Sequence, residues 1–177
     1  DAERAFRDML GIEDTRLLGL RGLFIEAQRA GDYEAAFRHA KEAATLFPKA
    51  QWPWDALLDH HAKGGAWRDS LEALSHLQSH IDKTLYRRKR AVLLTADAIQ
   101  KSDSEPDGAL ENLREAVKLA PQQQPAARVE VAVAIAAAIA KGQHRAGRPG
   151  LRGRHGQGLV AAAQAQWLVQ AGRHPAP

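Results

Sequence analysis

The segment Gly31-Asp32-Tyr33-Glu34-Ala35-Ala36 returns in kind as Gly65-Ala66-Trp67-Arg68-Asp69-Ser70, with the two glycines 34 residues apart. A period of this length is too short for a domain. It marks a helix–turn–helix unit that buries its apolar faces only by stacking on neighbouring units. The recurrence therefore narrows the chain to an all-α array of helical hairpins.

The residues around each glycine explain the punctuation. Leu17, Leu20, Phe24 and Ala27 recur at three- and four-residue steps and form one apolar helical face. Gly31 suits the end of that helix because glycine accepts the left-handed conformation there. Asp32 is placed to cap the next helix by accepting its free amide hydrogens. Tyr33, Ala36, Phe37, Ala40, Ala43 and Ala44 make the second face, and Pro48 stops it. The next unit runs from Gln51, with Trp54, Leu57 and Leu58 facing inward, then Gly65, then Trp67, Leu71 and Leu74. Where a terminating proline is due the chain reads Asp82 followed by the basic run Lys83 to Arg90, an insertion of about five residues against the 34-residue period. In the third unit Leu93, Leu94 and Ala96 belong to the first helix and Ser104-Glu105-Pro106-Asp107 to the turn. Ala109, Ala116 and Pro121 then repeat the spacing of Ala36, Ala43 and Pro48. The expected units are thus about 15–48, 51–82 and 85–121, with a partial unit at 125–140. The period is that of tetratricopeptide arrays, so the expected architecture is a right-handed superhelix occupying residues 1–140.

Residues 141–177 have a different composition. They are rich in glycine, arginine and alanine, and through 141–158 they lack an apolar period, which is the signature of a partly disordered tail. Leu159 to Ala171 could form one more helix. The chain's charge follows the same division. Its net +4 comes from 25 basic and 21 acidic residues. Every acid lies at or before Glu130, while six of the basic residues lie beyond it, leaving 19 against 21 and a net −2 in the repeats. The repeats therefore lack the domain-wide basic bias of a nucleic-acid binder.

With no cysteine, disulfide scaffolds, thiolate metal sites and thiol nucleophiles are excluded. The apolar run Val131 to Ala140 falls short of the roughly 20 residues that span a bilayer. The chain begins inside a helical pattern at Asp1 and reads as a piece of a longer protein.

The opening Ala2-Glu3-Arg4-Ala5-Phe6-Arg7-Asp8-Met9-Leu10-Gly11, with Leu17 to Leu23, Trp52-Pro53-Trp54-Asp55-Ala56-Leu57 and Arg88 to Leu94, resembles the tetratricopeptide region of HemY-type proteins. These proteobacterial proteins are encoded with haem-biosynthesis genes. The likeness covers about residues 1 to 128. It implies a protein tethered to the inner membrane by preceding hydrophobic helices, with its repeat domain in the cytoplasm and this fragment soluble. It also implies a supporting role in late haem and porphyrin synthesis, through partner enzymes or tetrapyrrole intermediates. The flavin oxidase that shares the name is a different protein, and no Gly-x-Gly-x-x-Gly fingerprint is present here.

Candidate chemistry is sparse. His76 and His80 would share a face on a helix, but two ligands do not complete a zinc site. His60 and His61 are adjacent and diverge on a helix, which disfavours axial haem ligation. Asp55 and Asp59 lie four apart, yet no serine–histidine–aspartate order or phosphate loop accompanies them. The cluster Lys83, Arg87, Arg88, Lys89 and Arg90 could meet anionic lipid heads or tetrapyrrole propionates, against the plainer reading of a solvated helix face. No catalytic site, metal or cofactor is expected. Function is expected in the groove lined by the first helices of successive units. Arg21, Ile25, Gln28 and Arg29 supply it from the first unit; Trp52, Asp55, Asp59 and Lys63 from the second; Leu94, Ala98 and Lys101 from the third. Such a mixture suits an extended or helical peptide. The rival expectation is a small-ligand carrier that holds a tetrapyrrole.

Overall fold

The computed structural model describes residues 2–119, all helices and turns, with no strand among them. The partial unit at 125–140, the tail at 141–177 and the candidate helix at 159–171 lie outside the described residues. Seven α-helices succeed one another: α1 (Ala2–Leu10), α2 (Arg16–Arg29), α3 (Tyr33–Leu46), α4 (Gln51–Lys63), α5 (Trp67–His76), α6 (Lys83–Lys101) and α7 (Pro106–Leu119), with one 3-10 turn (Glu13–Thr15) between α1 and α2. Each helix packs on its sequence neighbours, so the described chain is a run of consecutive hairpins.

The 34-residue recurrence is visible atom by atom at the first two hairpin corners. Gly31 and Gly65 both have positive φ, +77° and +72°, and no other described residue does. At the first corner Ala30, Gly31 and Asp32 donate backbone N–H bonds to Glu26, Gln28 and Ala27. At the second, Gly64, Gly65 and Ala66 donate to His60, Ala62 and His61. Every donor and acceptor is displaced by 34. The paired bonds satisfy carbonyls that a helix end leaves open, and only glycine takes the left-handed turn without a Cβ penalty. Asp32 then accepts from the Ala35 amide at 2.9 Å and caps α3. Ala66 has nearly the same backbone angles but no capping side chain. The third corner is built without glycine: Ser104 and Glu105 both donate to the Lys101 carbonyl, and Pro106 opens α7.

Just beyond each corner stands a small buried residue, Ala36, Ser70 or Ala109. The absence of bulk lets the two helices of a hairpin approach closely. Ser70 tolerates burial because its hydroxyl donates to the Ala66 carbonyl at 2.8 Å. Two apolar clusters result. The larger joins Ala40 and Ala44 of α3 to Leu57, Leu58 and Ala62 of α4, to Trp67, Leu74 and Leu77, and to Leu93 and Ala96 of α6. The smaller joins Ala91, Leu94 and Ala98 of α6 to Ala109, Leu113 and Ala116 of α7.

The insertion changes two helices. α5 has 10 residues where α3 has 14, and α6 has 19 where α4 has 13. The basic run is thus the N-terminal part of a lengthened α6. Asp82 caps it, accepting from the Thr84 and Leu85 amides at 2.8 and 3.1 Å. Those amides, Leu85 first, hold its carboxyl below the usual carboxylate range. The early end of α5 also separates two histidines that a continuous helix would align: His76 is its last residue and His80 lies in the following turn.

A carboxylate lies inside the packing of the last hairpin. Asp97 is 6% exposed, accepts from Asn112 at 2.7 Å and bridges Lys101 at 2.8 Å. At the other end of the chain α1 docks on a glycine face of α2. A methyl group added at Gly19 would fall 2.7 Å from the Phe6 carbonyl oxygen, and one added at Gly22 would enter the Phe6 ring.

Two substitutions separate these roles. Gly31→Ala meets no atom within 4 Å, so its cost is purely conformational, about 1–2 kcal/mol, with Gly31→Asn cheaper; thermal denaturation checks both. Gly22→Ala overpacks the Phe6 contact, costs about 1–3 kcal/mol, and increases hydrogen exchange in α1 selectively.

Candidate functional site

A groove of about 810 Å³ opens between α2 and α4, with the first turns of α3 contributing to its lining. On α2, Arg21, Ile25 and Gln28 fall at four- and three-residue steps and share one face. On α4, Trp52, Asp55, Asp59 and Lys63 form the matching stripe, and all seven residues line the groove. Residues 34 apart occupy the same place on successive helices, so Arg21 answers to Asp55 and Ile25 to Asp59.

Aromatic rings build much of the interior. Phe24 of α2 meets Trp52 of α4 with centroids 5.4 Å apart, linking the two walls. Phe37 of α3 stacks on His60 of α4 at 4.1 Å and meets the edge of His61 at 5.6 Å. Asp55 accepts from Gln51 at 3.1 Å, which fixes one carboxylate at the rim. Asp59 and Lys63 are engaged with other groups. The Trp52 indole N–H is buried and has no acceptor among the described residues. Trp54, two residues on, faces elsewhere: its N–H donates to the Pro48 carbonyl at 2.9 Å and its ring stacks on His76 at 3.7 Å.

The other residues expected in the groove from their spacing lie away from it. Arg29 is exposed outside it and pairs with Glu26 at 2.9 Å. Leu94 and Ala98 are 3% and 1% exposed, buried in the α6–α7 cluster. Lys101 is held by Asp97. The reason is a change of residue type. Where the second unit has Asp55 and Asp59, the third has Leu94 and Ala98, and α7 packs Leu113 and its alanines on that apolar stripe. The groove thus belongs to the first two hairpins. A switch from charged to apolar at equivalent positions was the available signal. Periodicity also missed Phe37, His60 and Tyr33 as groove residues; Tyr33, expected on a buried face, is 67% exposed.

Chemically the site is a recess with aromatic and apolar lining and a rim of mixed charge. Its lining contains no serine, threonine or cysteine, so a serine–histidine–aspartate arrangement cannot form in it. Among the described residues no group of three or more histidines or carboxylates is placed to hold a metal ion. Comparison of the chain with family models, curated proteins and solved structures finds no match.

His61 beside the groove gives a pH handle. Burial pushes its pKa below the ordinary 6.5, against the opposing pull of Asp69. The folded state therefore favours neutral imidazole, and its contribution to stability is complete above the unfolded pKa. It is lost as pH falls through the folded pKa. The melting temperature should fall on acidification from about pH 7.5 to 5.5, and less so in His61→Gln. An NMR titration midpoint for His61 at or above the ordinary value would contradict this assignment.

Proposed function

We propose that the chain is a non-catalytic, protein-binding scaffold of the tetratricopeptide type, its hairpins winding into a right-handed superhelix and its α2–α4 groove receiving a peptide segment of a partner. The observation that carries this reading is the groove itself, an aromatic recess whose rim places Arg21 and Asp55 at the same station of successive helices. An apolar anchor enters between Phe24, Phe37 and Trp52, while flanking charges set its orientation. The resemblance to HemY-type proteins extends the proposal to the partners: enzymes of late haem synthesis, organised at the inner membrane with the repeats on the cytoplasmic side. Among the described residues no helix is long and apolar enough to cross a membrane, so the tether in this proposal belongs to the full-length protein.

Selecting peptides on the full chain from a displayed random library, then measuring affinity by calorimetry, tests the groove. Trp52→Ala should weaken the selected peptide at least about tenfold, as for a buried aromatic anchor, and Asp55→Lys should change which peptides are selected. Unaltered affinity in both variants counts against the groove. Cross-linking in the cells that make the protein tests the pathway separately; recovery of unrelated proteins removes the haem assignment and leaves the groove reading intact.

A second reading, a tetrapyrrole carrier, draws support from His60, an imidazole in the groove lining stacked on Phe37. A one-to-one Soret shift on haem titration that disappears in His60→Ala favours it over the peptide.

A further inference from the structure

The lengthened start of α6 carries the densest run of cations among the described residues. Its residues Lys83 to Lys89 include four cations and no acid. Ile81 and Tyr86 pack on the larger apolar cluster and seat this stretch against the fold. The Arg90–Glu115 bridge, 2.8 Å long, joins α6 to α7 across the last hairpin. In the antiparallel pair, Lys118, three residues past Glu115, therefore comes alongside Arg87, three residues before Arg90. Lys83, Arg87 and Lys118 are all exposed, and among the described residues none of them joins an ion pair. The nearby acids are committed elsewhere: Asp82 caps α6, and Glu115 holds Arg90.

We propose that this positive end of the α6–α7 hairpin docks on an anionic lipid surface. The patch lacks what more specific anion partners need. Its aromatic residue, Tyr86, is half-buried against the core and is not the exposed ring that base stacking uses. The α6 amides that could cradle a single phosphate already bond to Asp82. What remains is a row of long, solvated cations, with Val117 beside Lys118 the one exposed large apolar side chain in these turns. Such a row responds to a diffuse negative potential, the kind that acidic headgroups present. The attraction is electrostatic throughout and therefore sensitive to salt. The proposal is independent of the peptide groove, which lies on other helices.

The test is co-sedimentation of the full chain with phosphatidylcholine vesicles, with and without one-third phosphatidylserine. At low salt the chain should partition onto the acidic vesicles only, and release at roughly 0.5 M salt, where charges are screened within about 4 Å. Replacing Lys83, Arg87 and Lys118 together by glutamine should weaken partitioning by about a hundredfold, at roughly fivefold per cation. The melting temperature and groove-peptide affinity of that variant should be unchanged. The proposal is overturned if the triple variant binds like the parent chain, because the cations beyond Glu130 then suffice. Equal binding to neutral vesicles overturns it too. So does tighter capture of a single-stranded oligonucleotide that the same substitutions abolish, since the patch would then serve nucleic acid.

Discussion

The left-handed glycine that closes each of the first two hairpins sets the geometry on which the rest depends. Gly31 and Gly65 reverse the chain with the same backbone angles and the same bonding pattern, so α3 and α5 leave their corners in the same way. The small residues next in line, Ala36 and Ser70, then decide how near each helix lies to its partner. Because corner and contact repeat together, α2 and α4 present equivalent faces side by side, and the recess between them exists for that reason. Neither helix could form it alone.

The third hairpin keeps one half of this rule and drops the other. Ala109 still occupies the small buried position, but the corner lacks glycine and α6 starts early. The face that is polar on α4 has become apolar on α6 and is covered by α7. The apolar face ends the groove, and the early start of α6 adds a basic stretch of helix. The two candidate surfaces of the protein, one aromatic and one cationic, lie on different hairpins.

Much of this was legible in the order of residues. The helix ends at Gly31, Pro48 and Gly65, and the start at Pro106, obey backbone rules that act locally. Arg21, Ile25, Gln28, Trp52, Asp55, Asp59 and Lys63 were legible because a fixed period carries a position from one helix to the next, whereas Arg29, read the same way, falls outside the groove. Leu94 and Ala98 were misplaced by that same carry-over. Period alone locates a helical face, and the residues on it decide whether it meets water or another helix. The docking of α1 was not legible because its recognition feature is an absence: Gly19 and Gly22 leave room for Phe6, and nothing in an apolar pattern marks room. The Phe37–His60 stack depends on how α3 and α4 cross, which local periodicity does not specify.

The buried carboxylate of Asp97 has a consequence for the mechanics of the array. Its partners are Lys101 one turn along its own helix and Asn112 across the hairpin. Sliding α7 by a single turn along α6 would set Leu113 where Ala109 or Ala116 now packs, and would strip Asp97 of the amide that donates to it. Lys101 would still pair with the carboxylate, but Asp97 and the Asn112 amide would each lose a hydrogen-bond partner inside the packing. The polar contact thus acts as a detent, reinforcing the seat that the alternation of alanine and leucine already favours.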